Sequence, residues 1–404
     1  MNITPYIETK RIAVKVRSSA EKMVKRCHPW VFEESIIKQN ITGEAGDLVI
    51  IYDHKKNTFL ACGLYDPYSP IRIKLIQFGK TAQINKEWFA TQISKAYDIR
   101  RPLLKTATNS YRLLFGENDS LPGFIADVYD HVLVIKLYSH IWLPYLNWIV
   151  SSLLAITKCT VVVLRLSRLL QSKGEIYGLK DGQVVYGVLE DEVVVFKEHG
   201  VLFSANVIKG HKTGYFLDHR HNRKRVGELA HNKTVLDVFS YAGGFSVHAL
   251  KGGAKEVVSL DISKQALDMA KANATLNTHT GNHSIIVADA FEGLQTLIND
   301  QKKFDIIVID PPSFAKRESE VYKAENSYMR LAALGAQLVK HNGILVLASC
   351  SSRVVAADFF KISEESILNT GKTFTIIEKT THDIDHPITF PEGAYLKCGY
   401  YRLK

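Results

Sequence analysis

"KTVLDVFSYAGGFSVHALKG" spans residues 233–252. Its first half is a short aliphatic run, the pattern of a buried β-strand. Gly243 and Gly244 follow, where the backbone can turn sharply. "FSVHALK" then carries a helical pattern. A strand that turns through glycines into a helix is the opening of a strand–helix–strand unit. The rhythm repeats downstream. "EVVSLDIS" (256–263) is a strand and "KQALDMAKANATLN" (264–277) a helix. "SIIVADA" (284–290), "FDIIVIDPP" (304–312) and "GILVLASCSS" (343–352) are three further strands, each followed by a helical pattern. This alternation predicts an α/β fold with a doubly wound parallel sheet over residues 196–404. Unbroken aliphatic runs suit strands covered on both faces. "FTIIEKTTHDIDHP" and "GAYLKCGYYRLK" add a closing pair of strands.

Working back toward the start, the texture changes twice. Residues 76–195 mix helices ("KEWFATQISKAYDIRRPLL", and 141–156) with strands ("GFIADVYDHVLVIKLY", "CTVVVLRLS"). "YGLKDGQVVYG" and "DEVVVFKEHGVLFSA" have the look of hairpins. This predicts an α+β segment. Residues 1–75 carry short alternating runs ("IAVKV", "DLVIIYD", "FLACGLYD", "IRIKLIQ"), which predict a small β-rich domain. One helix is expected there, from "SAEKMVKRCHPWVF", with Ser19 as its cap.

The chain has 404 residues, 46% apolar and 23% charged, which suits a soluble globular protein of several domains. The net charge of +10 favours a polyanionic partner, nucleic acid first. The five cysteines are scattered, with no CxxC and no Cys/His cluster, so no metal site and no disulfide framework is expected. The start lacks an apolar leader. The most membrane-like stretch, "IWLPYLNWIVSSLLAI" (141–156), contains Pro144 and Asn147 and reads as a helix on a sheet. A cytoplasmic protein without a membrane partner is expected.

In open α/β sheets, ligands gather at the carboxyl ends of the strands. The turn after the first strand is not GxGxxG, which disfavours a dinucleotide. Asp261 ends the second strand, where a carboxylate can accept from both ribose hydroxyls. Asp289 ends the third, within reach of an adenine amino group. Each acid alone would serve equally as a helix cap. Together, at this spacing, they point to an adenosine-type ligand. Lys212, Thr213, Gly214, Asp218 and Arg220 precede the first strand, where the amino-acid end of such a ligand can be gripped. A solvated basic face would explain the same stretch. The fourth strand ends in Asp310, Pro311, Pro312, Ser313 and Phe314, and the next one in Cys350. Neighbouring strand ends converge, which makes Asp310 and Cys350 partners across 40 residues of chain.

"HKTGYFLDHRHNR", "DVFSYAGGFSVHAL", "DPPSFAK" and "SCSS" resemble the PUA-domain-containing class I S-adenosylmethionine-dependent 23S rRNA (cytosine-C5) methyltransferases. "AEKMVKRCHPWVF" (20–32), "FGENDSLPGFIADVYD" (115–130) and "HPITFPEGAYLK" (386–397) extend the resemblance over nearly the whole chain. It implies a PUA-like RNA-binding domain over 1–75, a linking domain over 76–195 and a Rossmann-like methyltransferase domain over 196–404. The implied cofactor is S-adenosyl-L-methionine. Phe239, Tyr241, Gly243 and Gly244 would face its methionine part, Asp261 and Ile262 its ribose, and Asp289 and Ala290 its adenine. Asp218, Arg220 and Asp310 would line its edge. Cys350 is the implied nucleophile and Asp310 its acid partner. Pro311, Pro312, Ser313 and Phe314 would meet the base, and Lys22, Lys25 and Arg26 the RNA backbone. "HRHNRKR" (219–225) would add phosphate contacts beside the site. The partners implied are 23S rRNA or a large-subunit assembly intermediate, with a homodimer among the assemblies expected.

Many RNA cytosine-C5 methyltransferases carry a second cysteine after the Asp-x-Pro corner. Here Ser313 holds that place, and the acceptor of the C5 proton stays open between water and Asp310. Two alternatives stand beside this expectation. One is a guanine-N methyltransferase, which uses an acid–Pro–Pro corner with an aromatic stacked on the base and needs no Cys350. The other is an RNA-binding assembly factor without catalysis.

Overall fold

The strand at the head of the glycine turn forms as β1, Thr234–Val238, in a computed structural model that describes residues 3–53, 55 and 57–404. Around it lies a seven-stranded sheet. The other strands are β2 (Glu256–Asp261), β3 (Asn282–Val287), β4 (Phe304–Ile309), β5 (Val339–Ser349), β6 (Phe374–Thr380) and β7 (Lys397–Leu403). Their spatial order is β3-β2-β1-β4-β5-β7-β6. The first five run parallel. β7 is antiparallel to both its neighbours. Six helices accompany the sheet: α1 (Arg220–Leu229), α2 (Gly244–Lys251), α3 (Lys264–Thr275), α4 (Ala290–Asn299), α5 (Val321–Leu338) and α6 (Ala356–Leu368).

The aliphatic runs form the core. Leu236, Val238, Leu260, Ile307, Ile309, Leu345 and Leu347 pack with Tyr328 and Leu331 of α5 and Phe359 of α6. Each such side chain contributes about 1.5–3 kcal/mol on leaving water. The order of the parallel strands reverses at β1 and β4, so their carboxyl ends open side by side. Ser349 pairs with Lys397 across the β5–β7 ladder. Because β7 runs backwards, its first residue reaches the rim where β5 stops.

The chain divides into two compact units. One is Met1–Lys197, Ser204–Leu217 and Ile384–Pro391; the other is Glu198–Phe203, Asp218–Asp383 and Glu392–Lys404, and it holds the sheet just described. Among the described residues, the first unit has two larger sheets. Six strands between Arg11 and Phe78 form one, with strict alternation in Arg11–Val16 burying Ile12, Val14 and Val16. Five strands between Ser110 and Tyr186 form the other, packed with the helices Lys86–Arg100 and Leu146–Thr157.

Three local expectations change. Ser19 lies inside the helix Ser18–Lys25, and Arg17 takes the cap position without a side-chain bond. That helix stops before Trp30 because Cys27 adopts φ 61°, and Trp30–Val31 is a strand. The segment 177–187 is not a hairpin of its own: Gln183–Tyr186 pairs antiparallel with Val161–Leu166. The apolar stretch at 141–156 forms a 3₁₀ turn and the helix Leu146–Thr157 in the core of the first unit. Among the described residues, no helix is long and apolar enough to cross a membrane.

Candidate active site

The loop between β1 and α2 is unusually bent. Phe239 (φ 63°), Tyr241 (φ 47°) and Gly243 (φ 76°) are all left-handed. Two non-glycine residues in that region mark a loop held by its surroundings. A Cβ on Gly243 would lie 2.7 Å from the Ala270 Cβ, so α3 leaves space only for glycine. Beneath the loop, the buried Asp237 accepts from the Ser246 N–H (3.0 Å) and hydroxyl (2.7 Å). Burial, with repulsion from Asp310 and Asp261, pushes its carboxyl up to about 7.

The acids at the next two strand ends suit an adenosine. Asp261 accepts from the Tyr241 N–H (3.0 Å) through Oδ2 and from the Ser263 N–H (2.9 Å) through Oδ1. One lone pair remains on each oxygen for hydroxyl donors. Ile262 beside it is 73% exposed, an apolar face waiting for a flat partner. Asp289 caps α4, with Oδ1 accepting from the N–H groups of Phe291 and Glu292. Its second oxygen is left for an amine, and Ala290 is buried under it. Capping and ligand binding are thus compatible at Asp289. These groups fit S-adenosylmethionine: two acids for the nucleoside, a tight loop with Gly244 at a helix start, and an exposed aliphatic.

The fourth and fifth strand ends meet. The Cys350 thiol donates to the Pro311 carbonyl oxygen at 3.7 Å. Asp310 and Cys350 are half-buried, Pro311 is buried and Pro312 exposed. Ser313 Oγ donates to the Ala315 carbonyl (3.1 Å), closing a local turn. Phe314 packs edge-on against Tyr328 at 5.2 Å, toward the core. Burial pushes the Cys350 thiol up to about 12; Asp310 and Asp218 add to that, and Lys397 works against it.

Ahead of α1, Asp218 accepts from the Tyr395 hydroxyl (2.8 Å). His219, nearly fully buried, puts Nε2 3.2 Å from Asp310 Oδ1, close enough for an ion pair although the N–H does not point straight at the oxygen. Burial opposes charge on His219, but Asp310 outweighs it and the imidazole is held above its usual range. Arg220 was expected at the ligand's edge. It is fully enclosed, with Nη1 3.0 Å from Asp383. The rest of "HRHNRKR" is similarly engaged. Arg223 lies buried on Glu198, Lys224 pairs with Glu228, and Arg225 with Glu228 and Glu378. Only the Arg223 pair is internal; Lys224 and Arg225 meet their carboxylates at the surface. Thr213 belongs to the first unit, where its hydroxyl donates to Asp127 (2.5 Å).

In the first unit, Lys22 and Arg26 are exposed on and after the helix Ser18–Lys25. Lys25 is also exposed, but its ammonium is held by Glu21 (2.6 Å) and Asp53 (2.7 Å). Two residues of the candidate rim were given no role of their own by sequence reasoning. His219 entered only as part of the basic run 219–225. Lys397 follows "GAYL", and a lysine opening an apolar strand was the signal available. Among the described residues, no group of three or more His, Cys, Asp or Glu side chains is placed to hold a metal ion.

Residues 184–398 match the S-adenosylmethionine-dependent methyltransferase family, and residues 14–78 match the PUA-like domain. The chain is 40% identical over 99% of both chains to a ribosomal RNA large subunit methyltransferase of Deinococcus radiodurans. It is 36% identical to the ribosomal RNA large subunit methyltransferase I of Tolumonas auensis, over 98% of each. Among solved structures, a methyltransferase designated SMU.776, complexed with SAH, superimposes with a TM-score of 0.81 at 24% identity, covering 98% of this chain and 100% of that one. That likeness concerns the fold.

Proposed function

The chain belongs to the S-adenosylmethionine-dependent ribosomal RNA large-subunit methyltransferase family, and from that premise we propose that it forms 5-methylcytosine in 23S rRNA through a covalent bond between Cys350 and C6 of the base. One observation carries this reading: the Cys350 thiol lies against the carbonyl of Pro311, next to Asp310. A nucleophile and an acid thus share one rim.

C5 of cytosine is a poor nucleophile. Addition of the Cys350 thiolate to C6 breaks the C5–C6 π bond and moves that electron pair toward C5. When bound, S-adenosylmethionine supplies the electrophilic methyl group. Loss of the C5 proton then restores the double bond and expels Cys350. Asp310 holds the exocyclic N4 amine and shares a proton with N3 as the adduct forms. His219 at 3.2 Å keeps that carboxylate aimed. A stacked base cannot reach such a rim, so the target cytosine is flipped out or unpaired. Ser313 follows the prolines where the guanine-N alternative uses an aromatic, which weighs against that alternative; Phe314, one residue later, packs against Tyr328.

The test is trapping. With S-adenosylmethionine and rRNA containing 5-fluorocytosine, the C5 substituent cannot leave as a proton, and a covalent complex is expected on a denaturing gel. Cys350→Ala should lose the complex and all methylation, a fall of at least about 10³-fold, with cofactor affinity intact. Methylation by that variant would sink the mechanism. Bisulfite sequencing of rRNA from cells with and without the enzyme identifies the nucleotide.

A further inference from the structure

Lys397 is 2% exposed, at the start of β7. Its Nζ donates to the carbonyls of Ser351, Val354 (2.6 Å) and Tyr395 (3.1 Å). Three acceptors match the three N–H bonds of an ammonium; a neutral amine would leave one carbonyl facing a lone pair. The side chain is therefore charged. Yet among the described residues no carboxylate lies within ion-pair distance of it. Lys74, buried in the first unit, has Asp66 at 2.5 Å. A buried cation without a counter-ion is expensive to keep. Next to it stands the opposite anomaly. Cys350 must become an anion beside the carboxylates of Asp310 and Asp218. Two of the three carbonyls gripped by Lys397 belong to the turn that follows Cys350.

We propose that Lys397 is a positioning residue for the nucleophile: its ammonium fixes the 350–354 turn through backbone carbonyls and is the counter-charge of the Cys350 thiolate. The inference rests on Cys350 being the nucleophile. On ionisation the thiol proton goes to solvent, and Lys397 keeps its own three. The groups that act on the sulfur come from separate elements: Asp310 after β4, Asp218 before α1 and Lys397 on β7. Burial draws Lys397 down to about 8, with Cys350 pulling the other way.

The experiment is alkylation of Cys350 by iodoacetamide at pH 7.5, without RNA, read by peptide mass spectrometry in the full-length wild type and Lys397→Met. Loss of the counter-charge should slow Cys350 alkylation about tenfold and lower kcat similarly, with KM for RNA unchanged. A role confined to holding the turn gives the opposite sign. Loosening would wet the thiol, lower its pKa and speed alkylation, and an equal or faster rate overturns the proposal. If Lys397→Met does not fold, the wild type still decides. Its alkylation rate should rise with pH and then flatten near pH 8, where Lys397 discharges. That break should persist in His219→Gln and in Asp237→Asn, which remove the other groups titrating in this range; a straight rise through pH 8 overturns the proposal. Adduct trapping tests the nucleophile separately, so failure of either idea is visible by itself.

Discussion

Around Glu198, in the second unit, every charge has its complement. Arg223 grips both carboxylate oxygens, at 2.7 and 2.6 Å, and His248 Nε2 adds a bond at 2.9 Å. Around Cys350 the groups do not match. A thiol sits among carboxylates, an ammonium faces only carbonyls, and His219 Nε2 meets Asp310 without a well-aimed hydrogen bond. Both clusters belong to one unit, the first fully buried and the second half-buried at Asp310 and Cys350. The first has nothing left to offer a ligand. On the function proposed above, the second is completed by something from outside. Among buried ionisable groups, mismatch marks chemistry and balance marks architecture.

The largest effect that could break this contrast is on stability. Arg223→Met leaves Glu198 buried without its partner and should cost about 3–5 kcal/mol, read as a lower melting temperature at pH 7. Burial works against the Glu198 charge, but Arg223 and then His248 overcome it and hold the carboxyl far below its usual range. Its folded pKa is depressed, so its contribution is full above the ordinary carboxylate range and is lost as pH falls through the folded value. The gap between variant and wild type should therefore narrow toward pH 3. A variant as stable as wild type would undo the architectural assignment.

Next comes Asp310→Asn. It should reduce kcat about a hundredfold with little change in melting temperature. Removing that carboxylate should also speed Cys350 alkylation, because Asp310 is one of the groups holding the thiol up. Slower alkylation would mean the two side chains do not sense each other.

His219→Gln sharpens the contrast with a smaller change. Its imidazole is held above its usual range by Asp310, against burial. A raised folded pKa adds stability below the ordinary histidine value, lost as pH rises through the folded one. The variant should lose about 1 kcal/mol at pH 5.5 and less at pH 8.5; a constant gap would remove the ion pair from the account. Smallest is the effect on RNA affinity. Lys22→Ala with Arg26→Ala should flatten the salt dependence of binding by about 1.5 in log–log slope. Lys25→Ala alone should leave it unchanged, since Glu21 and Asp53 already hold that ammonium.

The parallel sheet was legible because β1, β2, β4 and β5 are aliphatic runs that end in polar or glycine turns, and each run carries its own periodicity. Asp261, Asp289, Asp310 and Cys350 were legible for the same reason: position at a strand end follows from local pattern. What local pattern could not show was pairing across the chain. Arg220 reads as a surface cation until Asp383 is found against it. Lys25 reads as free until Asp53, just after the strand Leu48–Tyr52, is found against it. The insertion of β7 between β5 and β6 brings Lys397 to the rim, and no βα loop contains that residue. Partners this distant in sequence leave no periodic trace.

Lys397 holds the turn after Cys350 by carbonyl oxygens, which every amino acid carries. Such a tether is blind to the side chains of Ser351, Ser352, Arg353 and Val354. Mutational tolerance across the rim should then be lopsided. Exposed positions such as Ser352 and Arg353 can drift while the thiol stays in place, and the burden of keeping it there falls on position 397, where drift would be felt at once.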